Sequence, residues 1–491
     1  MADNQNDKSR KDMSAFWEQH SKEASLEEMF LDSQAKEISK MEEREILTLM
    51  CDVKKKDVLE LGSGIGRFTG TLAKDANHVT SLDFMEPFVR KNKETNGHLK
   101  NITFVTADVT KQHFEPKSFD VVFSNWLLMY LSDAEVNELI INIIKWIKPG
   151  GKVFFRESCF RQSGNTKRDF NPTNYRSPST YCAMLQLAKA ETPAMGLDIL
   201  FCRNIKAYIE LKKNHHQCCW LLQKVSRTTS HQGYDTFQQF LDNKQYTKNG
   251  VLRYERIFGA GYISTGGQET TKEFVATLNL KPGQRVLDVG SGIGGGDFYM
   301  EKKYGAEVFG IDLSANVVEI AMERSPADTK VQFQICDVTT IQFESESFDV
   351  VYSRDTLLHI PDKFAVFKQF FKWMKPGGKL FISDYCHGDC EHSDKFKSYV
   401  AQRGYVLHTV KRYGKMLEET GFVNVKADDR SKQFIRILKQ EKAQTETAKN
   451  MFIKDFSEAD YNDIVGGWTE KLGRVELGDQ AWGTFYAEKP L

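Results

Sequence analysis

VLELGSGIG, Val58 to Gly66, decides the reading of this chain, because it returns as VLDVGSGIG at Val286 to Gly294. A short apolar run ending in alternating glycines reads as a strand that enters a tight turn before a helix. The surroundings repeat with it. SLDF around Asp83 returns as GIDL around Asp312, and TADV at Asp108 returns as ICDV at Asp337. SFDVVFSNWLLMYL from Ser118 returns as SFDVVYSRDTLLHI from Ser347, and KWIKPGGKVFF from Lys145 as KWMKPGGKLFI from Lys372. The pairs Gly62/Gly290, Asp83/Asp312, Asp108/Asp337 and Pro149/Pro376 all stand 227–229 residues apart. A period of that length means a duplicated domain, not a solenoid.

Within each copy, short apolar runs alternate with helical stretches. Val58–Leu61, Thr80–Asp83, Phe119–Phe123 and Lys152–Phe155 read as strands of the first copy. This alternation predicts an α/β fold, a mainly parallel sheet with helices on both faces. Ligands of such sheets sit beyond the carboxyl ends of the strands, where the glycines and acids fall. The expected domains are residues 1–230 and 231–491. The polar, turn-rich stretch Arg227 to Gly233 serves as linker. Asp198 to Leu211 and Gln217 to Val225 are expected as two strands closing the first domain. Lys439 to Asp463 is expected to be helical, and Trp468 to Tyr486 loop and strand, as a lid-like extension of the second.

The bulk properties exclude several classes. With 40% hydrophobic and 27% charged residues, 491 residues suffice for more than one buried core. Lys+Arg and Asp+Glu are equal at 67 each, so no global field draws in nucleic acid. No secretory h-region opens the chain, and its most apolar stretch falls short of the ~20 residues that span a bilayer. The nine cysteines show no framework spacing, which predicts free thiols and a cytoplasmic protein. Cys386, His387, Cys390 and His392 lie in one short stretch with no second ligand pair at a useful distance, so no metal site is expected.

The spacing G-x-G-x-G differs from the G-x-G-x-x-G of pyrophosphate binders, and no P-loop lysine follows. Acids surround the glycines: Glu60 and Asp288 just before them, Asp83 and Asp312 at the end of the next strand, then Asp108 and Asp337. A carboxylate accepts hydrogen bonds from both hydroxyls of a ribose or from an adenine amine, and it suits a cationic sulfonium. These residues resemble the class I S-adenosylmethionine-dependent methyltransferases, with Rossmann-like domains here in tandem. A dinucleotide dehydrogenase is the alternative reading of the glycine loop.

Longer strings are similar to the tandem phosphoethanolamine N-methyltransferases: FWEQHS, LDSQA, FSNWLLMYLSD, FRESCF and NPTNYR in the first copy; DNKQYTKNGVLRYERIFGAGYIS, SRDTLLHI, SDYC, YVAQRGY and GGWTEK in the second. The resemblance implies stepwise N-methylation of phosphoethanolamine to phosphocholine with S-adenosyl-L-methionine. It implies a catalytic pair, Tyr246 and His359. Cofactor positions are implied at Gly62, Arg67, Asp83, Asp108, Val109 and Asn125, and at Ile263, Ser264, Gly290, Asp312, Leu313, Asp337, Val338 and Arg354. Phosphobase positions are implied at Ser158, Ser163, Gly164, Arg168 and Tyr175, and at Gln245, Tyr246, Tyr254, Asp355, Tyr385, Tyr399, Arg403, Tyr405 and Lys471.

The residue types make chemical sense. Arg and Lys neutralise a phosphate, and tyrosine hydroxyls add directional bonds. An alkylammonium has a pKa near ~10.4, so a base is needed to free its lone pair at pH 7. His359 is the candidate base. Aligning the copies puts Tyr130 where His359 stands, Asn125 for Arg354 and Trp126 for Asp355. The mismatch leaves the base of the first domain open and suggests that this domain takes the first methylation, the second domain the remaining two. The alternatives are a methyltransferase for another small amine, or one domain kept as an inactive regulatory module.

Overall fold

The structure, a computed structural model, describes residues 2–190, 193–227 and 231–491. The chain divides into two compact units, Met1–Gln239 and Phe240–Leu491. In the first, strands β1 (Asp57–Leu61), β2 (His78–Asp83), β3 (Ile102–Thr106), β4 (Phe119–Asn125) and β5 (Ile147–Ser158) are parallel. They are followed by β6 (Met195–Asn204) and β7 (Gln217–Ser226), which run antiparallel to their neighbours. The order across the sheet is β3-β2-β1-β4-β5-β7-β6. In the second unit, β8 (Arg285–Val289), β9 (Glu307–Asp312), β10 (Gln332–Ile335), β11 (Phe348–Arg354) and β12 (Met374–His387) precede β13 (Val423–Asp429) and β14 (Gln480–Glu488). Their order, β10-β9-β8-β11-β12-β14-β13, is the same one. The central strands are buried: Val58, Leu59, Val286 and Leu287 are each 0% exposed. That fits strands covered on both faces, where each such side chain contributes ~1.5–3 kcal/mol.

Three sequence expectations need correction. Asp198 to Leu211 is a strand only as far as Asn204; a helix, Lys206–Lys212, follows and buries Ala207, Tyr208 and Ile209. Trp468 begins no loop. The helix Glu458–Glu476 runs through it, started by the Ser457 cap and held where Trp468 Nε1 donates to Glu441 at 2.9 Å. Gly466, Gly467 and Gly473 lie within this helix with nothing crowding them, and a helix absorbs each at about 1 kcal/mol. Of the expected linker, residues 228–230 lie outside the described residues. The segment after it stays with the first unit through Lys189–Asp235 (2.6 Å) and Gln186 Nε2 to Gln238 Oε1 (2.6 Å), so that unit extends to Gln239. Among the described residues, no helix is long and apolar enough to cross a membrane.

Candidate active site

Each glycine loop turns on residues with positive φ: Gly62, Gly64 and Gly66 in the first unit, Gly290, Gly292 and Gly294 in the second. A Cβ on Gly290 would overlap the Thr356 side chain, so only glycine fits there. The acid ending the next strand pins each loop. Gly64 N donates to Asp83 Oδ2 (2.8 Å) and Met85 N to Oδ1 (2.9 Å). Gly292 N and Ser314 N donate to Asp312 in the same way, at 3.1 and 2.9 Å. Burial pushes both carboxyls up to about 6. Asp108 and Asp337 each accept from the backbone and hydroxyl of a threonine two residues on, through one oxygen only, beside Val109 and Val338.

Both loops keep buried polar atoms without a partner among the described residues: Ser63 Oγ and Asn125 Oδ1 in the first unit, Asp288 Oδ1, Ser291 Oγ and both Asp297 oxygens in the second. Such atoms fit the hydroxyls and cationic groups of S-adenosylmethionine. Asp297 escaped the sequence reading, since nothing in GGGDF marks it as facing Asp288. Burial, then the Asp288 charge, pushes its carboxyl well up, and burial pushes Asp288 up to about 8. The corresponding residue of the first unit is Thr69, whose hydroxyl donates to Glu60 at 2.5 Å.

Not every expected cofactor residue faces a ligand. Arg67 is engaged by Glu42 (2.7 Å), Ser39 (3.1 Å) and the Phe30 ring. Arg354 donates to Thr265 O, Gly267 O, Thr270 Oγ1 and Thr271 Oγ1, which ties the start of the helix Gly267–Leu278 to β11. Ile263 lies against Gly292, and Ser264 O receives Gly267 N. Leu313 follows Asp312 directly.

In the second unit the implied substrate residues converge. Tyr246 OH lies 3.3 Å from His359 Nε2. The His359 ring packs edge-on against Tyr405, and Tyr405 against Tyr399. Gln245 Nε2 donates to Arg403 O at 2.6 Å. Lys471 Nζ donates to Tyr385 OH (3.3 Å), which also meets Thr265 Oγ1 (3.1 Å). Tyr254 stacks near Trp468, over which Lys471 sits. Asp355 receives Trp482 Nε1 (2.8 Å) and Ser383 Oγ (3.0 Å). It takes a left-handed φ of 49°, as Trp126 does (φ 58°) at the same place in the first unit. Strained backbone of this kind concentrates at functional sites. His359 closes the 3-10 turn Leu357–His359. Burial, then Lys363 and Arg403, push it down to about 3. Burial pushes Lys471 down to about 8 against the pull of Glu441.

In the first unit Arg168 Nη1 donates to Tyr175 OH at 3.2 Å, and Arg168 Nε is buried with no partner among the described residues. Gly164 packs on the carbonyls of Phe30 and Leu31, and Thr166 N donates to Leu31 O, which holds the Ser163–Thr166 loop in place. Ser158 Oγ donates to Gln217. The N-terminal helix Ala2–Gln19, which carries the start of FWEQHS, lays Met13, Phe16 and Trp17 over Met85, Phe88, Ile65 and Tyr130. Just past its end, His20 packs on Phe16 with ring centroids 4.6 Å apart. Burial, then the charge of Arg168, lowers its pKa.

A glycine loop with an acid-ended second strand, twice over on this sheet order, defines a tandem methyltransferase. Family models described as "Methyltransferase domain" match residues 58–151 and 287–382. Phosphoethanolamine N-methyltransferase 1 of Triticum aestivum is 53% identical over 98% of this chain and 97% of its own length; that of Arabidopsis thaliana is 51% identical over 96% and 97%. A solved phosphoethanolamine N-methyltransferase 2 of Haemonchus contortus, in complex with phosphomonomethylethanolamine and S-adenosylhomocysteine, superposes with a TM-score of 0.75. It is 25% identical, covering 92% of this chain and 99% of that one. The chain belongs to the phosphoethanolamine N-methyltransferase family.

Proposed function

We propose that this chain is a cytoplasmic enzyme that converts phosphoethanolamine to phosphocholine in three methyl transfers, the first in the N-terminal unit and the second and third in the C-terminal unit. The carrying observation is the Tyr246–His359 pair, present in the second unit and replaced in the first by Tyr130, which packs on Trp17 with centroids 5.3 Å apart. All nine cysteines are free thiols, which supports a reducing compartment. The Arg168–Tyr175 and Arg403–Tyr399–Tyr405–Lys471 groups supply the charge and hydroxyls for a phosphate, which argues against an apolar acceptor. S-adenosylmethionine, when bound, supplies the electrophilic methyl.

In the second unit neutral His359 takes the ammonium proton as the amine lone pair is freed, and Tyr246 orients the ring. A phosphate seated on Arg403 offsets one of the cations that depress His359, so substrate itself raises the basicity of the base. In the first unit His20 stands in this role. It follows the helix that packs on Ile65 of the cofactor loop, and its lowered pKa keeps it neutral at pH 7. The test is His359→Ala in the full chain, incubated with phosphoethanolamine and labelled cofactor. Monomethyl phosphoethanolamine accumulates, while the later steps fall ~10²–10⁴-fold. Phosphocholine at the unmutated rate would remove His359 from the chemistry; absence of any monomethyl product would deny the first unit its own catalysis.

A further inference from the structure

His387 ends β12 and the loop after it carries Cys390 and His392, which taken alone lack partners for a metal. The fold brings one from far along the chain. Asp479, in the turn between the helix Glu458–Glu476 and β14, places Oδ1 3.5 Å from His392 Nδ1. Cys390 Sγ lies 3.9 Å from the same nitrogen. The Cys390, His392 and Asp479 ligand atoms all lie within 4.8 Å of one another. Atoms bound to a tetrahedral zinc at 2.0–2.3 Å stand about 3.3–3.7 Å apart, so a small inward closure completes one face of such a tetrahedron.

The surroundings are those of a supported ligand set. Asp479 is 4% exposed, with Ser393 N on Oδ1 (3.1 Å) and Ser393 Oγ on Oδ2 (2.7 Å). Its carbonyl receives Gly388 N at 3.0 Å. His392 Nε2 lies 3.2 Å from His387 Nδ1, which also meets Gly388 O at 2.9 Å. Cys390 is exposed, so an ion reaches the site from solvent. One thiolate, one imidazole and one carboxylate form a borderline-soft set that selects zinc over calcium or magnesium.

We infer that Cys390, His392 and Asp479 bind one zinc-class divalent ion, with water in the fourth position. Loading exchanges the thiol proton for the metal: the S–H bond breaks, the sulfur pair forms the S–metal bond, and the proton goes to solvent. The ion pins the start of the helix Asp394–Arg403, which carries Tyr399 and Arg403, to the turn following the helix that carries Lys471. It is a staple behind the phosphobase pocket and takes no part in methyl transfer.

The experiment uses the full chain, free of affinity tag and stripped with chelator, titrated with cobalt(II) and then zinc. The expected result is one equivalent of cobalt with tetrahedral and thiolate charge-transfer absorption, bleached by zinc, and a thermal midpoint that zinc raises. Cys390→Ser abolishes the thiolate band, and His392→Ala weakens binding at least tenfold; both variants keep their far-UV spectrum. Absence of the thiolate band in the unmutated chain, or equal zinc affinity in it and both variants, overturns the site.

Discussion

In the first unit a buried guanidinium comes from Arg156 on β5; in the second it comes from Arg354 on β11, the counterpart of β4. The registers make the exchange plain: Asn125 pairs with Arg156 across β4 and β5, and Arg354 with Ser383 across β11 and β12. Both arginines bind the helix that precedes the first strand of their unit. Arg156 reaches Glu42 at 2.8 Å with Trp126 under it at 3.6 Å, whereas Arg354 uses carbonyls and hydroxyls of residues 265–271. The counter-charges therefore differ. Glu42 bonds both Arg67 and Arg156, whereas among the described residues no carboxylate is bonded to Arg354, whose charge offsets part of the burial that pushes Asp288 up at the cofactor loop. A buried charge must be answered, but the fold leaves open by which strand and by which partner.

The comparison is broken or sharpened by four measurements. The largest effect is expected for His20→Ala, the mirror of His359→Ala: the first methylation falls ~10²–10⁴-fold, while added monomethyl phosphoethanolamine still goes to phosphocholine. An unchanged first step would leave that unit without the assigned base. Next come Arg168→Gln and Arg403→Gln. Losing a charged hydrogen bond costs ~1.5–3 kcal/mol, so each raises KM about 10–150-fold for the phosphobase of its own unit alone. Free ethanolamine methylated as well as its phosphate ester would refute both placements. Asp83→Asn and Asp312→Asn should each weaken one of two cofactor sites, so calorimetry of the unmutated chain should count two; a single site there would deny the symmetry.

The smallest effect is in pH. Asp83 and Asp312, pushed up to about 6, are protonated below that value and then lose their charge and become weaker acceptors. Cofactor affinity therefore falls as pH drops through 6, by up to about tenfold per unit for each linked proton. Near pH 7 the second unit, with Asp288 pushed up to about 8 and Asp297 well up beside it, releases more protons on binding than the first, where burial pushes the single acid Glu60 up to about 7. Calorimetry of the two Asp→Asn variants in buffers of different ionisation heat reads the difference; equal release would erase it.

What the residues disclosed and what they withheld divide along physical lines. The sheet, the loops and the acids were legible because glycine spacing and strand period are local. The stretch from Trp468 was expected as loop and is helix as far as Glu476, because propensity yields to packing: Trp468 and Tyr461 are buried on that helix. The aromatic cover of the N-terminal helix was visible as the string FWEQHS, but its place over the first site shows only in the contact of Trp17 with Tyr130. Asp479 joined His392 only through folding, because ligand geometry depends on distances that sequence spacing does not contain.

The moved arginine also bears on how such a duplicated chain is inherited and re-engineered. A graft of single residues from one half to the other, Asn125→Arg or Arg354→Asn, would give one half two guanidinia and the other none. The smallest exchangeable piece is the strand pair together with its preceding helix, β4–β5 with residues 35–49 against β11–β12 with residues 267–278. Divergence after the duplication must then have passed through paired changes within each such block, and ancestral reconstructions or chimeras that cut between the two strands should be the ones that fail to fold.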